Sequence, residues 1–188
     1  MGAACVRDPI ERICPDLAPG DLVVSELRGP QTGADSYGQW IEVYNAGDEA
    51  IDLAGVRLVL RKLDGSGDFH FLVRDHEAAV DAGAYAVFGN TEGKDFTTYV
   101  FTSDAESDLY AAAILEIYSC ERLVDTMIYR SLPSVGTLSL DGKSPPDAAA
   151  NDDSDLGWCV DDVPPSPDEP ITDLGVRGTP GEANRPCP

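Results

Sequence analysis

The stretch that decides the fold, residues 20–60, reads GDLVVSELRGPQTGADSYGQWIEVYNAGDEAIDLAGVRLVL. Its runs DLVVSEL and WIEVYN are rich in the β-branched and aromatic residues that strands prefer, whereas Asn45 and Gly55 stand where the chain must turn. Glu26 and Glu42 fall inside these two runs, at interior strand positions. The stretch therefore predicts consecutive short strands with acidic side chains at fixed places.

Short apolar runs separated by Gly, Asp, Asn and Pro continue along the chain. Eight such runs predict eight strands, and this regular punctuation is typical of a β-sandwich or barrel. The runs RLVLRKL and AYAVFG are apolar on both faces, which indicates strands sealed between two sheets. The predicted strands are 21–27, 39–45, 56–63, 69–73, 84–89, 114–119, 123–130 and 137–140.

Both ends of the chain differ from this pattern. Residues 1–19 are predicted to form an N-terminal extension with a short helix, in which Asp8 is the cap, Pro9 lies in the first turn and Glu11 follows three positions after the cap. The single β domain is expected to span residues 20–188. Its last part, 141–188, has 11 acidic and 3 basic residues and many prolines, which predicts an irregular wrapping segment.

Five cysteines, none of them in a CxxC pair or near a histidine, indicate disulfides in an oxidising compartment. Cys159 and Cys187 are expected to tie down the acidic segment. We expect Cys5 to pair locally with Cys14; the alternative is a lipid anchor at Cys5, with two bridges among the other four cysteines. The sequence does not choose between these connectivities.

The charge and hydropathy of the chain exclude several classes of partner. Thirteen basic and 34 acidic residues give a net charge of -21, which repels nucleic acids and anionic lipid surfaces. No apolar run approaches the roughly 18 residues of a membrane-spanning helix. Together with the expected disulfides, this predicts an extracytoplasmic protein that is secreted, periplasmic or attached to the cell surface, monomeric, and without a transmembrane segment.

Catalytic motifs are missing from the sequence. His76 and Glu77 begin an HExxH pattern, but Val80 takes the position of the second histidine, and the other histidine, His70, lies in a predicted strand. No GxSxG, Walker-type or Rossmann pattern occurs. Carboxylate pairs arise by chance in a chain this acidic, so the sequence predicts a protein that is not an enzyme.

One acidic loop has the composition of a cation site. Asn151, Asp153 and Asp155 place oxygen side chains at alternate positions, with Asp162 as a distal acid, and a hard cation such as calcium needs several oxygens brought together by a tight turn. Gly157 falls one place later than in an EF-hand. The loop is therefore either a solvated acidic loop or a calcium site, with calcium as the candidate cofactor.

Five motifs in fixed order resemble the lamin tail domain family: DLVVSEL, GQWIEVYN, AIDLAGVRL, AGAYAVFG and the closing GTPGEAN. The resemblance covers roughly residues 21–184 and implies an immunoglobulin-like β-sandwich of the kind found in nuclear lamins and in many secreted or surface-attached bacterial proteins. The segment from Asn151, with Trp158, Cys159 and Cys187, resembles the bacterial, cysteine-containing branch. The family supplies no catalytic residues.

The sequence thus predicts a non-enzymatic module for interaction with a protein or for attachment to a cell-surface component. The alternative is a calcium-dependent carbohydrate-binding or adhesion module associated with secreted hydrolases. Glu26 and Glu42 are expected to be framework residues on neighbouring strands, hydrogen-bonded to loop amides or paired with an arginine. A small hydrolase that uses both carboxylates would instead need them in an open cleft.

Overall fold

The computed structural model describes residues 13–33, 35–101, 108–163 and 176–188. Within these ranges the protein is all-β, with twelve strands and no helix, and the helix predicted around Asp8 lies outside the described residues. The strands are β1 (Leu22–Arg28), β2 (Trp40–Asn45), β3 (Ile51–Asp52), β4 (Val56–Lys62), β5 (Asp68–Leu72), β6 (Ala79–Val80), β7 (Tyr85–Gly89), β8 (Tyr99–Val100), β9 (Ala113–Ser119), β10 (Arg122–Tyr129), β11 (Thr137–Leu140) and β12 (Trp158–Asp161).

All eight predicted strands are confirmed, and their bounds agree with the structure to within one residue. Three of the strands that the sequence did not predict, β3, β6 and β8, are only two residues long, which is too short for a hydrophobic period. The fourth, β12, corrects the expectation of a wholly irregular segment after residue 140. It pairs with β11, so its strand conformation depends on a partner rather than on its own pattern.

The strands form two main sheets that share one core. The larger sheet has the order β12-β11-β1-β2-β7-β8, the smaller has the order β10-β9-β4-β5, and β3 and β6 form a separate pair. Among the twelve described strands, every pairing is antiparallel except that of β7 with β8. Apolar side chains from both sheets are buried together, which is consistent with a β-sandwich; they include Leu22, Ile41, Phe88, Leu58, Phe71 and Ile117.

Strand alternation gives the larger sheet a second buried face. In β2, Ile41 and Val43 enter the shared core, while Trp40 packs on the opposite, outer face with Tyr37 and Val87. This alternation is the two-residue period of an extended strand. The outer face is covered by chain from outside the strands, and the two predicted framework glutamates lie beneath that cover.

Two disulfides join distant parts of the chain: Cys14 to Cys120, and Cys159 to Cys187. The expected local pair of Cys5 with Cys14 is therefore wrong, and Cys5 itself lies outside the described residues. Cys120 begins the two-residue turn between β9 and β10 with a φ of 52°, and this turn brings its thiol to the segment before β1. Proximity in space, set by the β9–β10 hairpin, decides the pairing.

No helix among the described residues is long and apolar enough to cross a membrane.

Candidate functional site

Two glutamates lie opposite each other on the outer face of the larger sheet. Glu26 of β1 and Glu42 of β2 are direct partners in the strand register, and both side chains are fully buried. A register irregularity between Val24 and Glu26 inserts Ser25 into β1 just before the first glutamate. The expectation that the two acids lie on neighbouring strands is confirmed.

The Glu26 carboxylate accepts hydrogen bonds from four residues. Its Oε1 accepts the indole N–H of Trp40 at 3.1 Å. Its Oε2 accepts the hydroxyls of Ser139 at 2.9 Å and Thr137 at 3.1 Å, both from β11, and the backbone N–H of Thr179 at 3.0 Å. These donors replace the water that the carboxylate loses on burial.

The Glu42 carboxylate binds the same C-terminal stretch, residues 178–184, which we call the closing segment. Glu42 Oε2 accepts the backbone N–H of Gly181 at 2.7 Å, and Oε1 accepts the hydroxyl of Ser25 at 2.7 Å. At the end of the segment, the Asn184 side-chain amide donates to the Ser25 carbonyl at 2.8 Å. Both glutamates therefore hold the closing segment against the sheet, as expected for framework residues that bind loop amides.

The backbone at Gly178 approaches β1 and β11 so closely that the closing segment has to begin with glycine. Its φ is +100°, and a Cβ atom there would lie 2.6 Å from the Thr137 side chain and 2.8 Å from Glu26 Oε1. A larger residue would have to push the segment away from the carboxylate that binds Thr179. The GTPGEAN motif is thus matched to the buried glutamates.

Burial makes both glutamates harder to ionise than exposed ones. Desolvation raises the pKa of Glu26, and its hydrogen bonds only partly oppose this effect. Desolvation, followed by repulsion from Glu26, raises the pKa of Glu42 well above its usual range. Such a carboxylate pair could serve acid–base chemistry if it were open to substrate, but both side chains are enclosed. The geometry therefore does not support the hydrolase alternative.

A second buried acid, Asp125 of β10, connects the two sheets. Its Oδ2 accepts the Val24 backbone N–H of β1 at 2.8 Å and the Asn151 side-chain amide at 2.8 Å. Burial raises the pKa of Asp125 to about 6. Sequence reasoning missed this residue; its only signal was an acid in the middle of the apolar run LVDTMIY.

The four residues of the predicted cation loop do not converge. Asn151 is fully buried and bonded to Asp125, whereas the carboxylate of Asp153 makes a two-pronged pair with Arg130 that includes an Nη2–Oδ2 distance of 2.9 Å. Asp155 Oδ2 lies 3.2 Å from the same guanidinium, and Asp162 lies beyond the end of β12.

The Arg130 guanidinium therefore pairs with the loop carboxylates that a bound cation would otherwise neutralise. Its hydrogen bonds to Asp153 hold the pKa of that carboxyl below its usual value. In the described part of the chain, no group of three or more His, Cys, Asp or Glu side chains is placed to hold a metal ion. These contacts favour the acidic loop over the calcium site, the other of the two alternatives.

Two open clefts lie outside the glutamate pair. One, of about 380 Å³, is strongly acidic, and its charged lining residues are Asp16, Asp21, Asp48, Glu49 and Asp52. The other, of about 340 Å³, lies between the larger sheet and the C-terminal region. Two tyrosines form its floor, and its remaining lining includes Asp141, Lys143, Pro145 and Asn184.

No model of a known protein family matches the chain, and a search of curated proteins finds no match. Function is therefore inferred from the fold and from the side-chain geometry.

Proposed function

We propose that the chain is a non-enzymatic, extracytoplasmic β-sandwich module of the lamin tail type that mediates protein interaction or surface attachment. The observation that supports this proposal best is the arrangement of Glu26 and Glu42, the pair of residues best suited to catalysis. Both carboxylates are buried and hold the closing segment in place. The two carboxylates stabilise the surface formed by the closing segment, and they are not accessible to a substrate.

The same arrangement supports the resemblance to the lamin tail family and its immunoglobulin-like sandwich. The first two motifs contribute Glu26 and Glu42, and the last motif contributes the amides that they bind. Glu26 and Thr179 are separated by 153 positions in the sequence. Motifs that are distant in the sequence but hydrogen-bonded in the fold are expected of a family signature that specifies one structure.

The two disulfides support an extracytoplasmic location. Disulfides persist in oxidising environments and are rare in reducing ones. Here they fasten the segment before β1 through Cys14 and the C-terminal region through Cys187. Both connections restrain chain outside the central strands, which suits a module that must stay folded outside the cell.

The proposal that the chain is not an enzyme can be tested with a panel of substrates. We expect the purified chain to show no turnover of ester, phosphate, glycoside and peptide substrates. The variant Glu42→Gln keeps the size of the side chain and should behave identically. Turnover that this variant abolishes while its fold is retained would overturn the proposal.

Attachment can be tested with labelled protein and isolated cell envelopes. We expect saturable binding that unlabelled protein competes away. The label is attached near Tyr118, which lies on the smaller sheet and not on the larger sheet that the closing segment covers. A label at this position should preserve the binding. Failure to bind envelopes and failure to bind any envelope protein in a crosslinking experiment would together contradict the module assignment.

A further inference from the structure

Two tyrosines form the floor of the cleft beside the closing segment. Tyr44 of β2 and Tyr85 of β7 are direct partners in the strand register, with ring centroids 5.0 Å apart and an interplanar angle of 47°. The cleft above them has a volume of about 340 Å³, within the range of small-ligand pockets. The two rings therefore offer an aromatic surface to a ligand of modest size.

The hydroxyls of both tyrosines are available to a ligand. Within the described part of the chain, neither the Tyr44 nor the Tyr85 hydroxyl makes a hydrogen bond to the protein. Burial, and then the charge of Glu42, raise the pKa of Tyr85 to about 12, so its hydroxyl stays protonated and can donate. Each tyrosine thus contributes a ring, a donor and an acceptor to the cleft lining.

The rest of the cleft lining is held in place before any ligand arrives. The Asp141 carboxylate accepts the Cys187 backbone N–H at 2.9 Å, and the Lys143 ammonium lies 3.2 Å from the same carboxylate. Cys187 is in turn fixed by its disulfide to Cys159. The backbone at Gly142 approaches the closing segment so closely that a Cβ atom there would lie 1.8 Å from the Asn184 carbonyl oxygen.

The charges around the cleft favour an uncharged ligand. Lys143 and Asp141 of the cleft lining pair with each other, so their charges offset, and the net charge of -21 opposes an anion. Aromatic faces combined with hydroxyls that both donate and accept suit a molecule that has apolar C–H faces and many hydroxyl groups. A sugar ring has this combination.

We propose that the Tyr44–Tyr85 cleft binds a neutral saccharide residue of a surface glycan, which stacks on the two rings and hydrogen-bonds to their hydroxyls. This inference rests on the proposed role in surface attachment and names its partner class.

The experiment is an NMR titration of the full chain with four neutral trisaccharides: cellotriose, xylotriose, mannotriose and triacetylchitotriose. We expect at least one of them to give saturable shifts at Tyr44, Tyr85 and residues 141–146. The anionic trisaccharide of galacturonic acid should bind about tenfold more weakly, because the protein repels it.

Tyrosine variants locate the binding. Tyr44→Phe and Tyr85→Phe keep the rings, and each should weaken binding about fivefold, the effect of one neutral hydrogen bond. The matched control is Tyr118→Phe on β9, whose ring lies under the Arg57 guanidinium at 4.8 Å on the smaller sheet and should leave binding unchanged. Unchanged affinity in the double variant of Tyr44 and Tyr85 would overturn the inference.

The outcomes also separate this inference from the proposed function. Saturable envelope binding without shifts from any neutral trisaccharide at millimolar concentration would overturn the saccharide site alone. Cleavage of a trisaccharide that binds at Tyr44 and Tyr85 would overturn the non-enzymatic proposal and support the site.

Discussion

Glu26 and Glu42 lie directly opposite each other on neighbouring strands, and each carboxylate accepts a backbone N–H from the closing segment. Two strands from the start of the chain are thereby connected to its C-terminal region by buried hydrogen bonds. The stability of the outer face should therefore depend on these two side chains more than on any exposed ion pair.

Removal of the Glu26 carboxylate should destabilise the protein strongly. Glu26→Ala leaves the Trp40 indole and the Thr179 amide buried without an acceptor, and we expect a loss of about 3–5 kcal/mol in the free energy of unfolding. Urea denaturation measures this loss. The matched control is Glu116→Ala, which removes a partly exposed ion pair with Arg61 and should cost at most about 1 kcal/mol. Equal losses in both variants would contradict the assigned role of Glu26.

Neutralisation of Glu42 should have the opposite effect. In Glu42→Gln, the amide oxygen can accept from Gly181 while the amide nitrogen donates to Ser25, and repulsion from Glu26 disappears. We expect the variant to be as stable as the wild type or more stable at pH 7. The difference should vanish in acid, where the wild-type carboxyl is protonated. A clear loss of stability at pH 7 would show that the charge of Glu42 is required.

The free energy of unfolding should rise as the pH falls below 7. Glu26, Glu42 and Asp125 have raised pKa values, so the folded state binds more protons than the unfolded state. The stabilising contribution of these three groups is complete when the pH is below their pKa values in the unfolded chain. It is lost as the pH rises through their higher pKa values in the folded protein. For Asp125 this window runs from its ordinary value of 3.8 to about 6.

The variant Asp125→Asn tests this window, because an amide oxygen can still accept from Val24 and Asn151. It should flatten the pH dependence between 4 and 6, as followed by denaturation at a series of pH values. At lower pH the partly exposed Asp141 and Asp153, whose pKa values are lowered, should reverse the trend. A wild-type stability that declines steadily from pH 7 to pH 5 would contradict the prediction.

The two disulfides should differ in their contribution to stability. They close loops with sequence separations of 106 and 28 residues, so loss of the Cys14–Cys120 bridge should cost about 5 kcal/mol and loss of the Cys159–Cys187 bridge about 3.5 kcal/mol. Paired serine variants and denaturation under oxidising conditions measure both values. Peptide mapping without reduction checks the connectivity, and a peptide that joins Cys5 to Cys14 would contradict it.

Calcium should not stabilise the wild-type protein, because Arg130 already pairs with Asp153 and Asp155. We expect the same unfolding temperature with calcium and with EDTA. The matched variant Arg130→Gln releases both carboxylates and should be the more responsive of the two. Calcium stabilisation of the wild type that Asp153→Asn abolishes would instead favour the calcium-dependent adhesion alternative.

Much of the fold could be predicted because its signals are local. In β2, strict alternation places Ile41 and Val43 in the core and Trp40 on the opposite face, as the two-residue period of a strand requires. Turn residues such as Asn45, whose side chain accepts the Gly47 N–H at 2.9 Å, marked the strand ends. By contrast, β12 has only four residues and is defined by its pairing with β11. Its sequence is too short to show a hydrophobic period that would have predicted it.

The sequence by itself determined the eight main strands, because strand preference and turn chemistry act over a few neighbouring residues. The tertiary structure alone decided that Cys14 bonds to Cys120, that Arg130 occupies the acidic loop, and that the two opposed glutamates hold the closing segment. These contacts join residues that are many positions apart, such as Glu26 and Thr179, and they depend on sheet order and chain path rather than on local pattern.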